Sequence, residues 1–125
     1  MTSPPEDTAP RGAVLIVEDD EPVRDAMREI LEEEGYVITC AVNGEEALRV
    51  LAGVPHPRLI LLDLMMPVMN GWELLRALRA SATLAGIPVV VLSSLSGTEA
   101  PAGVPAVKKP ISVQALLRLV EEYAD

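Results

Sequence analysis

The sequence has no phenylalanine, two tyrosines and one tryptophan, so aromatic packing cannot organise its interior. A core must be aliphatic, built from Leu, Val, Ile, Ala and Met. Cysteine occurs once, at Cys40, which excludes an internal disulfide and fits a reducing cytosol. A small buried hydrophobe is the expected role for that side chain. Basic residues are scarce. Ten Lys and Arg against nineteen Asp and Glu leave a formal net charge of −9, which argues against direct binding of nucleic acid or an anionic membrane surface. Long apolar runs are missing too. Stretches such as "IPVVVL" at 87–92 fall far short of the about 20 residues a spanning helix needs, so no membrane insertion is expected. No signal-peptide pattern opens the chain, and a cytoplasmic location is the expectation.

What is present alternates. Residues 1–12, "MTSPPEDTAPRG", are Pro-rich and aperiodic and read as a flexible leader, with 13–125 as one folded domain. "AVLIV" (13–17) is a β-branched apolar run ending in "EDDEP". Pro22 suits a helix's first turn, and Val23, Met27, Ile30 and Leu31 then share one face until Gly35. "YVITCAV" (36–42) reads as a strand, and "NGEEALRVLAG" (43–53) as a helix with Ala47, Leu48 and Leu51 inward. "RLILLD" (58–63) and "IPVVVLSS" (87–94) read as strands buried on both faces, separated by a helix at 71–81 with Trp72, Leu75 and Leu78 inward. "PAVKKP" (105–110) can hold a short strand. The last helix, 112–125, has Ser112 as its cap and Val113, Leu116, Leu117 and Val120 as its stripe. Strands alternating with helices, three of them apolar throughout, indicate an α/β protein with an open, doubly wound parallel sheet.

Chemistry in such a sheet sits at the carboxyl ends of its strands. There the sequence places Asp19 and Asp20 after the first strand, Asp63 after the third, Ser93 and Ser94 after the fourth, and Lys108 and Lys109 after the fifth. Converging carboxylates repel one another unless a divalent cation sits among them. A lysine and a hydroxyl opposite can hold a phosphoryl group by charge and hydrogen bond.

Four pieces, "VEDDEP", "DLMMPVMNG" with its D-x-x-M-P-x-x-x-G spacing, "PVVVLSS" and "KKP", occur in order on the right strand ends. Together they resemble the receiver domain of bacterial two-component response regulators over about residues 13–125. The resemblance implies a flavodoxin-like fold with five parallel strands in the order 2-1-3-4-5. It implies that Asp63 accepts a phosphoryl group from a phosphohistidine on a sensor histidine kinase or phosphotransfer protein, and that the phosphorylated state alters docking to a downstream protein target. It further implies that Asp20 binds Mg2+ directly and Asp19 through water, with Asp63 and the backbone carbonyl of Met65 completing the set. Ser93 would hydrogen-bond the phosphoryl oxygens, Lys109 would pair with their charge, and the Lys109–Pro110 bond would be cis. Glu18 reads as peripheral, Lys108 as solvated, and His56, in "PHP", as an ordinary loop residue.

Two departures from the pattern stand out. Receivers carry Tyr or Phe three residues before the site lysine, and that position is Ala106 here. The stretch from Ser93 to Lys109 is short, and "SLSGTEAPAGVPAV" (94–107) has Pro101, Gly103 and Pro105 as breakers and no apolar stripe. A shortened or missing fourth helix is expected there. The positions two past Asp63 and two past Ser93 are the apolar Met65 and Leu95, neither able to orient a water, so slow loss of phosphate is expected. The sequence ends after the last helix, which suits a single-domain regulator or a piece of a longer protein. No separate substrate turnover is expected. Two other readings remain open: a docking or scaffold module that signals without phosphorylation, and a Mg2+-dependent phosphohydrolase, although "EDDEP" lacks the D-x-D spacing of that class.

Overall fold

The computed structural model describes residues 11–53, 55–93 and 103–124. The elements run β1 (Ala13–Val17), α1 (Glu21–Glu33), β2 (Val37–Ala41), α2 (Gly44–Gly53), β3 (Leu59–Asp63), α3 (Gly71–Ala80), β4 (Val89–Ser93), β5 (Ala106–Lys108) and α4 (Val113–Ala124). All strand pairings are parallel and the sheet order is β2-β1-β3-β4-β5, the doubly wound flavodoxin-like arrangement that the sequence implied.

The three central strands are apolar at successive positions because helices cover both faces of the sheet. On one face, Leu15, Val17, Ile60, Leu62 and Val91 pack with Ala47 and Leu51 of α2 and with Leu74, Leu75 and Leu78 of α3. On the other, Val14, Ile16, Leu59, Leu61, Val90 and Leu92 meet Met27 and Leu31 of α1 and Leu116, Val120 and Ala124 of α4. Cys40 is half-buried at the margin of this second cluster.

Local signals start the helices. Asp20 caps α1 by accepting the Val23 N–H at 3.3 Å, with a proline in the first turn. Helices α2 and α3 both open on the pattern N-G-x-E. Asn43 Oδ1 accepts from the Glu46 N–H at 2.9 Å while Glu46 reaches back to the Val42 N–H at 2.8 Å. Asn70 and Glu73 form a full capping box at 2.9 and 3.0 Å, in which Glu73 accepts from the N–H of the cap itself. Ser112 Oγ accepts from the Ala115 N–H at 3.1 Å and starts α4.

The structure departs from the sequence reading in places. Val113 is 52% exposed rather than part of the inward stripe, because α4 begins at the carboxyl edge, where its first turn has little strand beneath it. On α3 the buried face is Leu74, Leu75 and Leu78, and Trp72 lies on its shoulder, only partly buried. Within the expected leader, residues 1–10 lie outside the described residues. Arg11 and Gly12 belong to the fold: their N–H groups bond Gly35 O at 2.8 Å and Ala124 O at 3.0 Å, and the Arg11 guanidinium lies 4.8 Å from the centre of the Tyr36 ring. The expected loss or shortening of a helix after β4 falls mainly on 94–102, which also lie outside the described residues. Gly103–Pro105 hold no helix and lead straight into β5, so four helices are present among the described residues. None of them is long and apolar enough to cross a membrane.

Leu61 is 1% exposed in the middle of the central strand. Leu61→Ala should therefore cost about 2–5 kcal/mol in urea unfolding, while Val113→Ala should stay within about 0.5 kcal/mol of wild type. Equal losses in the two variants would show that the helix α4 facing is wrong.

Candidate functional site

Four apolar residues, Leu59 to Leu62, bring β3 to its carboxyl end, where Asp63 is the last strand residue. Burial extends to that end, and Asp63 is only 6% exposed. Its Oδ1 accepts the Met65 N–H at 3.3 Å and lies 3.7 Å from Lys109 Nζ. Ser93, also 6% exposed, ends the neighbouring β4, whose Leu92 pairs with Asp63. The carbonyl of Ser93 accepts the Lys109 N–H at 2.7 Å, which fixes the backbone of the lysine beside it. Lys108 is exposed and the Lys109–Pro110 bond is cis, as both were expected to be. His56 is an exposed loop residue.

The acidic group after β1 differs from the expectation by one residue. Glu18, Asp19 and Asp63 offer carboxylate oxygens that all lie within 4.8 Å of one another. Asp20 is not in that cluster; its carboxylate caps α1 instead. Glu18 is not peripheral. It is 2% exposed, its Oε1 bonds Lys109 Nζ at 2.6 Å, and its Oε2 accepts the Asp20 N–H at 3.2 Å. The signal that separates the two lies in the sequence. An Asp directly before Glu-Pro is a helix cap, and the residue directly after the last strand position stays closest to the sheet edge.

The loop from Asp63 to α3 is held by two close approaches. The Gly71 N–H bonds Leu64 O at 3.0 Å, and a Cβ on Gly71 would sit 2.8 Å from Asp63 O. The final glycine of D-x-x-M-P-x-x-x-G therefore has a steric reason: a side chain there would displace the backbone that carries Asp63. Gly44, at the start of α2, donates its N–H to Met69 O at 2.9 Å and leaves no room for a Cβ against Met69. Between these points Val68 adopts φ +70° and is 73% exposed, and Met65 is 53% exposed. A valine in the left-handed region costs on the order of 1–3 kcal/mol, tolerated where neighbours fix the loop at both ends. Leu95, which was paired with Met65 in the sequence reading, lies outside the described residues. Ala106 is exposed on β5.

A family model described as the response regulator receiver domain matches residues 14–121. Among curated proteins, an uncharacterized 14.6 kDa protein of Leptolyngbya boryana is 33% identical over 116 residues, covering 88% of each chain. The response regulator MprA of Mycobacterium ulcerans is 36% identical over 110 residues, which are 83% of this chain and 46% of that protein. The chain thus spans about half the length of the MprA regulators it matches. Among solved structures, the signal receiver domain of a signal transduction histidine kinase from Syntrophus aciditrophicus superposes with a TM-score of 0.79 at 36% identity, covering 89% of this chain and 88% of that one. The chemotaxis response regulator CheY4 of Vibrio cholerae gives a TM-score of 0.81 at 26% identity, covering 90% and 98%.

Burial, then repulsion from Glu18, raises the pKa of Asp63 from 3.8 to about 7, against the opposing pull of Lys109 and the Met65 N–H. Between those two pH values the folded chain holds a proton that the unfolded chain has released. Stability contributed by this residue therefore falls as pH rises through the window and levels off above about 7. Asp63→Asn removes the penalty. Without divalent cation, its melting temperature should exceed that of wild type by a margin that widens by on the order of 5 °C from pH 5 to pH 8. A margin that stays constant or narrows over that range would refute the raised pKa.

Proposed function

The chain belongs to the response regulator receiver domain family, whose role is that of a phospho-accepting switch in two-component systems, and we propose that it acts as such a switch with Asp63 as the phosphoacceptor. The observation that carries this reading is a carboxylate at the end of β3, clustered with Glu18 and Asp19 and within 3.7 Å of the Lys109 ammonium.

The donor set fits a hard divalent cation. Three carboxylates face one ammonium, and the pKa of Asp63 is raised by burial first and then by the Glu18 charge. Glu18, Asp19 and Asp63 are the side chains that would hold Mg2+, with the Met65 backbone carbonyl as a further donor and Asp20, whose Oδ1 caps α1, outside the cluster. Bound there, the cation would neutralise the carboxylates and polarise an incoming phosphoryl group.

The residues of the chain do the rest. An Asp63 oxygen attacks the phosphorus of a phosphohistidine on a sensor kinase or phosphotransfer protein. The new O–P bond gives an acyl phosphate as the N–P bond breaks, and the imidazole nitrogen keeps the electron pair. The Met65 N–H fixes the rotation of the carboxylate. Lys109 moves its charge from Glu18 toward the phosphoryl oxygens, and the Ser93 hydroxyl donates to one of them. The phosphorylated surface then changes docking to a downstream protein in the cytoplasm, with no separate substrate turned over.

Incubated with Mg2+ and acetyl phosphate, the wild type should gain one phosphate, located at Asp63 by mass spectrometry. Asp63→Asn should gain none, and Lys109→Met should label more slowly by about 10²-fold or more. Labelling that survives in Asp63→Asn would overturn the assignment, and a wild type that never labels would favour the docking module that signals without phosphate. The cation set has its own check. Mg2+ should raise the melting temperature of the wild type by mass action. Asp19→Ala should lose most of that rise and Asp20→Ala should keep it, although the uncapped helix α1 would start about 1 kcal/mol less stable. The reverse pattern would restore Asp20 as the ligand.

A further inference from the structure

The loop that carries Glu18 and Asp19 has left the sheet, and one side chain holds its backbone. Arg24, on the second turn of α1, donates from Nη1 to Glu18 O at 2.9 Å and to Asp19 O at 3.5 Å. Its own N–H makes the first i→i−4 bond of the helix, to Asp20 O at 2.9 Å, so the side chain holds the two carbonyls that precede the cap. On the other side, the Glu18 N–H bonds Ala41 O at 3.0 Å.

We propose that Arg24 is a positioning residue for the cation site: its guanidinium fixes the peptide planes of Glu18 and Asp19, and so aims both carboxylates at Asp63. This rests on the cation reading above. Three carboxylates in one cluster repel, and Glu18 and Asp19 stand beyond the last residue of β1, whereas Asp63 is itself the last residue of β3. Two carbonyls anchored to a cation hold the β1–α1 loop in the geometry a divalent ion requires. Outer contacts of this kind set metal affinity through the ligands they orient.

Mg2+ affinity of wild type, Arg24→Met and Arg24→Lys is measured by calorimetric titration, with the melting temperature recorded in EDTA. Methionine keeps much of the apolar stem and removes the donors; lysine keeps one charge and reaches a single carbonyl. The dissociation constant should rise about tenfold in Arg24→Met and by less in Arg24→Lys. The Mg2+ concentration that half-saturates acetyl phosphate labelling should rise in step, with the rate at saturating Mg2+ unchanged. An unchanged dissociation constant, with only the melting temperature in EDTA lowered, would show a purely structural staple and overturn the proposal. If Arg24→Met fails to fold, an unshifted dissociation constant in Arg24→Lys does the same. A wild type that binds no Mg2+ removes the cation reading and this proposal with it, whereas a wild type that binds and variants that bind equally well remove this proposal alone.

Discussion

Lys109 is the positive charge that reaches the acidic cluster by its side chain, and two carboxylates compete for it. Glu18 holds it at 2.6 Å, while Asp63 lies 3.7 Å away. Much at the carboxyl edge follows from that shortage. A strand buried on both faces can end in a carboxylate only if something offsets the loss of hydration, and here the offset is one N–H bond and half a share of an ammonium. The result is an acid whose proton comes off near neutrality. A site of this charge favours a cation and has little use for a further carboxylate. The cap role of Asp20 removes one from it.

The devices that start the helices also place the site. Each N-G-x-E box begins a helix with an asparagine cap and puts a glycine at the first helical position. Those two glycines are where the Asp63 loop comes closest: Gly71 against Asp63 itself and Gly44 against Met69. Helix start and loop position are thus one constraint, because the missing side chain that lets the backbone approach also lies inside the capping box. Val68 marks the other side of this balance. Its left-handed backbone is held by anchors on either side and would relax if either moved.

How much of this the sequence disclosed depends on which signal each residue carried. The buried strands were legible because "VLIV", "LILL" and "VVVL" have no polar position that could face water. Asp63 and Ser93 were legible because polar residues end those runs directly, whereas Lys109 was singled out by its place before Pro110 in the resemblance. The acidic pair was placed one residue too late. Asp19-Asp20 reads as the natural pair of aspartates, and the longer Glu18 side chain hides the fact that its position, not its length, puts it at the edge. The exposure of Val113 was not legible either, since periodicity places a residue on a helix face and cannot say where the sheet beneath that face ends.

The position where receivers carry an aromatic is Ala106, exposed on β5, and a methyl group has no rotamer with which to report on the site. Lys109 does have alternatives. Its backbone is pinned by the bond to Ser93 O, so its freedom lies in the side chain, between Glu18 and Asp63. A phosphoryl group on Asp63 adds negative charge on one side of that choice only. At an effective dielectric of about 20, each added charge near 4 Å is worth about 4 kcal/mol before screening. On the same scale the Lys109–Glu18 pair, closer at 2.6 Å, is worth about 6 kcal/mol, so the added charge competes with that pair rather than overwhelming it. The Lys109 side chain, shared between Glu18 and Asp63, is thus where an added charge on Asp63 would first be felt.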